Sequence, residues 1–192
     1  SFGRPFCGRS PRDHAIFQTI KFGVTMKVFP VVICAALIAG PSFADIRVQF
    51  LEGAPKDRFI ITNNGTCAVG PAELVIDFSQ TGAGLIFDVT GSGAGVEVFQ
   101  PFEISEGAEL LESKPVITDG DQTATLVLNS LAASQRILFT IDVDDTSGAR
   151  AITVSNNEID GATASLILKG IQVSSGFGSN AEAVLETNTC AP

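Results

Sequence analysis

The chain has 192 residues, 21 acidic against 12 basic, for a net charge of −9, with one His, one Met and neither Trp nor Tyr. So acidic a surface repels nucleic acid and anionic lipid and attracts cations. Without indole or phenol rings, only Phe remains to stack against a sugar or a base.

The first 25 residues carry Arg4, Arg9, Arg12 and Lys21 against Asp13 and show no apolar periodicity. They read as an upstream extension outside the folded protein. Met26 then opens the segment 26–44, which reads as a secretory signal peptide. It has a basic start at Lys27, an apolar run over 28–39, a Gly40-Pro41 break, and Ser42 and Ala44 as small residues around Phe43. The apolar run is shorter than the roughly 20 residues needed to span a bilayer, so no membrane span is expected. Cleavage near Ala44 would send residues 45–192 to the periplasm or the exterior. It would remove five basic residues, one acid, and both His14 and Met26. The remainder, lacking imidazole, excludes Ser-His-Asp and Cys-His catalysis and His-ligated zinc, copper or haem.

Along 45–192, short runs alternate with a period of two, the pattern of half-buried strands. Ile46, Val48 and Phe50 form the first, residues 58–62 the second, and Leu74, Ile76 and Phe78 the third. Leu85, Phe87 and Val89 follow, then residues 96–104, Leu126 with Leu128, and Phe139, Ile141 and Val143. Residues 151–155, then Ala164, Leu166 and Leu168, and residues 183–187 complete about ten strands. Turn-forming clusters separate them at Asn63-Asn64-Gly65, Thr81-Gly82, Gly91 to Gly95, Asp119-Gly120-Asp121, Ser147-Gly148 and Asp160-Gly161. Only residues 105–112 are faintly helical. The expected fold is all-β: a single antiparallel β-sandwich with Greek-key or jelly-roll-like links. Cys67 and Cys190 are the two cysteines left after export, and an even pair in an oxidising compartment is expected to form a disulfide. A free thiol is the competing reading.

Candidate chemistry lies first in FTIDVDD. Alternation sends Phe139, Ile141 and Val143 to the core and Asp142 and Asp144 to the opposite face, next to Asp145. Asn156, Asn157, Glu158 and Asp160 follow within SNNEIDG. Calcium takes six to eight oxygen ligands at flexible geometry, so Asp142, Asp144, Asp145, Asn157, Glu158 and Asp160 form a candidate calcium set. The bland alternative is a solvated strand edge whose charges deter sheet-to-sheet sticking. Asp119 and Asp121 form a weaker second site or a plain turn. The glycine run Gly91 to Gly95 resembles a phosphate loop but leads into alternating Val96 and Val98, not a helix, so it reads as a flexible connection. Asn64-Gly65-Thr66 fits the glycosylation sequon. A paired-carboxylate hydrolase could draw on Glu97, Glu103, Asp88 and Asp142, but little else in the chain would grip a sugar.

Three phrases carry a resemblance. FLEGAPKDRFIITNNGTC (residues 50–67), GLIFDVTGSGAGVEVFQPFEI (84–104) and FTIDVDD with EIDGA together resemble the small exported bacterial proteins called aggregation factor core proteins. These are named for their similarity to the core of the sponge aggregation factor. The resemblance implies an extracellular interaction module with calcium-dependent adhesion, and it supplies no catalytic residues. The functional expectation is a secreted, non-enzymatic adhesion or cell-surface interaction module stabilised by calcium. Its partner would be an extracellular protein, a glycan or a second copy of itself. The alternatives are a carbohydrate-binding or weakly carbohydrate-active domain, and a self-associating matrix component.

Overall fold

The computed structural model describes residues 23, 44–93, 95, 98–147, 154–188 and 190. Eleven strands run through them: β1 (Ala44–Leu51), β2 (Asp57–Asn63), β3 (Ala72–Asp77), β4 (Ile86–Phe87), β5 (Glu103–Glu106), β6 (Thr123–Leu128), β7 (Arg136–Ile141), β8 (Val143–Asp144), β9 (Thr163–Leu168), β10 (Ile171–Gly176) and β11 (Glu182–Thr187). The order in one sheet is β11-β1-β2-β7-β5, in a second β10-β9-β3-β6, and a short ladder pairs β4 with β8. Every pairing is antiparallel. The chain crosses repeatedly between the two main sheets, so β3 lies between β6 and β9 rather than beside its sequence neighbours.

The alternation read from the sequence sets the sandwich. In β1, Ala44, Ile46, Val48 and Phe50 point inward and are buried, while Arg47 and Gln49 point outward. The same rule places Phe59 and Ile61 of β2, Ile137 and Phe139 of β7, and Leu74 and Ile76 of β3 in the core. Phenylalanines tie the layers. Phe59 stacks on Phe139 at 5.0 Å between ring centres and meets Phe50 at 5.2 Å, and Phe102 lies 4.9 Å from Phe139. Across the gap Phe59 reaches Phe78 at 6.3 Å, and Phe78 packs on Phe87 at 4.8 Å.

Cys67 and Cys190, 123 positions apart, are disulfide-bonded. The bridge joins the segment after β2 to the segment after β11. In the chain-entropy description a loop of this length confers about 4 to 5 kcal/mol through restriction of the unfolded chain. Beside the bridge, the buried side chain of Asn63 is fully used. Its Nδ2 donates to the carbonyls of Cys67 and Leu131, each at 2.8 Å, and its Oδ1 accepts from Gly65 N at 2.9 Å.

Several boundaries differ from the sequence reading. Strand β10 is an addition. It returns from β9 through Lys169 and Gly170, both at positive φ (53° and 78°), which is the primed two-residue hairpin turn. Residues 98–102 are irregular rather than strand, and strand structure begins only at Glu103; Val96 and Glu97 lie outside the described residues. Of residues 151–155, only Val154 and Ser155 are described, and neither is in a strand. The faintly helical stretch holds one turn of 3₁₀ helix, Ala108–Leu110. The upstream extension and nearly all of the expected signal peptide lie outside the described residues. The expected cleavage point falls at the first residue of β1, where Ala44 is buried and paired with Thr187. Among the described residues no helix is long and apolar enough to cross a membrane.

Candidate functional site: carboxylates buried beneath a glycine loop

Strand β7 ends at Ile141, Asp142 interrupts the ladder, and β8 resumes at Val143 to pair with β4. The register sets Phe87 opposite Val143 and Ile86 opposite Asp144. Asp88 N donates to Asp142 O at 3.1 Å, which continues the same pairing one residue further. Side chains of paired residues share a face, and faces alternate along a strand. Phe87 and Val143 therefore fill one face, and Asp88, Asp142 and Asp144 gather on the other.

These acids are not a solvated edge. Asp88 and Asp144 are each 1 % exposed and Asp142 is 5 % exposed, and Asp145 is buried as well. One carboxylate oxygen from each of Asp88, Asp142 and Asp144 lies within 4.8 Å of the other two. Described residues of the connection between β4 and β5 lie against them. This connection leaves after Asp88 and returns at Gln100, whose N–H donates to Asp88 O at 3.2 Å and whose carbonyl accepts from Asp142 N at 3.3 Å. Within that loop Gly95 passes so near that a Cβ there would collide with Oδ2 of both Asp88 and Asp144, and a Cβ at Gly93 would collide with Asp119. The glycines serve close backbone approach to carboxylates, not a phosphate.

The surrounding acids have different tasks. Asp57, at the start of β2, accepts from Gly53 N and Val143 N, both at 3.0 Å, and so clamps the β1–β2 turn to β8. Asp119 Oδ1 accepts from Val89 N and Thr90 N, both at 3.0 Å, holding the root of the glycine loop. Asp121 caps its own turn by accepting from Thr118 N at 2.7 Å. By contrast, neither oxygen of Asp88 has a hydrogen-bond donor, and Asp142 Oδ2 has none.

Desolvation is the main force on these groups. It pushes Asp142 up to about 8, with the charges of Asp144, Asp57 and Asp88 adding to the effect. Asp88 rises to about 7 through burial first and then through the adjoining carboxyls of Asp119 and Asp144. Asp57 also rises to about 7 by burial, in part offset by the two backbone amides it accepts from.

Of the six residues expected to hold calcium, the structure brings Asp142 and Asp144 together and buries Asp145 near them in sequence. Asn157 and Asp160 line another cleft with Asn156, Gly178 and Ser179. Glu158 turns back on its own loop, accepting from Ser155 N at 2.6 Å and Ser155 Oγ at 2.7 Å. The residue that joins the pair is Asp88, which the sequence offered only as a candidate acid for hydrolysis. Of the other acids weighed for that chemistry, Glu103 is exposed and paired with Lys56, which lowers its pKa, and Glu97 lies outside the described residues.

A second feature occupies the outer face of the five-stranded sheet. Arg47 and Gln49 of β1, Ile60 and Thr62 of β2, Arg136 of β7 and the turn through Glu106 to Leu110 enclose an open groove of about 750 Å³. Arg136 grips Glu106 with two contacts at 2.8 and 2.7 Å, fixing one wall. Arg47 reaches Glu182 of β11 at 3.5 Å. Compared with protein-family models and with curated proteins, the chain matches none.

Proposed function

We propose that this chain is an exported, non-enzymatic adhesion module that offers the outer face of its five-stranded sheet to a cell-surface glycan. The observation that carries this reading is the groove over β1, β2 and β7. Its walls supply guanidinium, amide, carboxylate and hydroxyl groups at fixed positions on a rigid sheet, the inventory needed to hydrogen-bond sugar hydroxyls. The disulfide supports an oxidising compartment, and the resemblance to aggregation factor core proteins supports adhesion over turnover. Open polar grooves of this kind bind weakly, so repeated copies on a surface would supply avidity.

Glycan arrays test this, with the oxidised protein displayed in many copies. The wild type is expected to be retained by a subset of glycans, and Thr62→Arg, which fills the groove floor, is expected to abolish retention without changing the melting temperature. Retention that survives Thr62→Arg would move the site elsewhere. Hydrolysis of any glycan on the array would overturn the non-enzymatic reading. Calcium-independent self-association in light scattering, with no retained glycan, would favour a matrix component.

A further inference from the structure

We propose that Asp88, Asp142 and Asp144 form a site for one hard divalent cation of the calcium class, closed on one side by the backbone at Gly95. Three observations converge on it. The first is spacing: two oxygens bound to one calcium ion at about 2.4 Å can lie at most about 4.8 Å apart, and the three carboxylates each present an oxygen within that limit of the others. The second is the state of Asp88 itself. It is 1 % exposed, both its oxygens lack a donor, and it points into the cluster rather than towards solvent. Its polar neighbours are the carboxyls of Asp119 and Asp144, and a buried carboxylate that faces only other acids is costly unless a counter-charge, a metal or a proton holds it. Among the described residues no Lys or Arg pairs with Asp88 or Asp142; the ion pairs Arg47–Glu182, Lys56–Glu103 and Arg136–Glu106 all involve other acids.

The third observation is the absence of side chains where the loop crosses. Gly95 brings backbone against Oδ2 of Asp88 and Asp144, which any Cβ would prevent. Calcium sites commonly complete an all-oxygen shell with backbone carbonyls and water, whereas soft metals call for sulfur or imidazole, which this cluster lacks. Asp57 is not a member, because both its oxygens already accept backbone amides. The cation site and the outer-face groove involve different residues, so either reading can fail alone.

The test is calorimetric titration of the oxidised full chain with calcium chloride and with magnesium chloride, alongside thermal melts in chelator and in millimolar calcium. One calcium ion per chain is expected, with magnesium weaker and with a melting temperature raised by about 5 °C or more in excess calcium. Asp88→Asn is expected to weaken calcium binding at least tenfold, yet to melt no lower than the wild type in chelator, because it removes a like charge from the cluster. Asp142→Asn should behave in the same way, and serves if Asp88→Asn does not fold. Asp160→Asn should bind calcium as the wild type does. No calcium-dependent heat and no change in melting would overturn the proposal. So would tighter binding of magnesium than of calcium, an undiminished response in both the Asp88 and Asp142 variants, or loss of binding in Asp160→Asn.

Discussion

Asp88 carries the most information of any residue in the chain. Half of what makes it so was legible in the sequence. Its place after Phe87 in an alternating run fixes its side chain opposite the core, just as Asp142 and Asp144 flank inward Val143. What period two cannot supply is the register between β4 and β8, set by residues more than fifty positions apart, and so the acids looked like a wet edge when they are buried. Burial has a consequence for pH. Asp57, Asp88 and Asp142 hold protons up to about 7, 7 and 8 in the folded protein, against 3.8 for an ordinary Asp. Between about pH 4 and pH 8 the folded state therefore binds more protons than the unfolded chain, and stability must fall as pH rises through that window. Asp119 and Asp144 face the same groups and add to the repulsion. In chelator, the melting temperature at pH 5 is expected to exceed that at pH 8 by about 5 °C or more, and Asp142→Asn should shrink the difference. A flat or rising profile in the wild type would contradict the burial of these acids in ionisable form.

At the scale of elements, alternation located β1, β2, β3, β6, β7, β9 and β11 because each sets apolar residues along one buried face, and all but β9, where Ser165 is buried too, leave the other face at least partly open. It failed where that condition fails. Around β4, residues 85–88 are all buried, so period two does not mark where the strand stops, and only Ile86 and Phe87 are in the ladder. Strand β10 is the reverse case: an edge strand with Ile171 59 % exposed and serines in place of large apolar residues. Its sequence signal was the turn, since Gly170 suits the positive φ that a two-residue hairpin demands. The strands are joined by the phenylalanine ladder, and Phe59 is its branch point, touching Phe50, Phe139 and Phe78. Phe59→Ala is expected to cost about 3 to 5 kcal/mol in urea unfolding, whereas Val184→Ala, on the half-exposed side of edge strand β11, should cost well under 1 kcal/mol. Equal losses at the two positions would mean that the ladder is not the core.

Across the whole molecule, two devices fix the ends of one sandwich. The Cys67–Cys190 bridge ties the tail after β11 to the segment after β2. The carboxylate cluster sits where β4, β8 and the start of β2 meet, and Asp57 joins that corner to Val143. The pairing of Cys67 with Cys190 was read from the two cysteines, of four in the chain, that the expected cleavage leaves, while the corner depended on long-range register. A cation there would neutralise a cluster of like charges and tie the end of β4 to β8. The most direct measurement is a crystal structure of the protein grown in calcium, with anomalous data collected to locate the ion. The expected result is one anomalous peak about 2.4 Å from oxygens of Asp88, Asp142 and Asp144. A cluster with no peak, its carboxyl oxygens drawn together in short proton-sharing contacts, would contradict it.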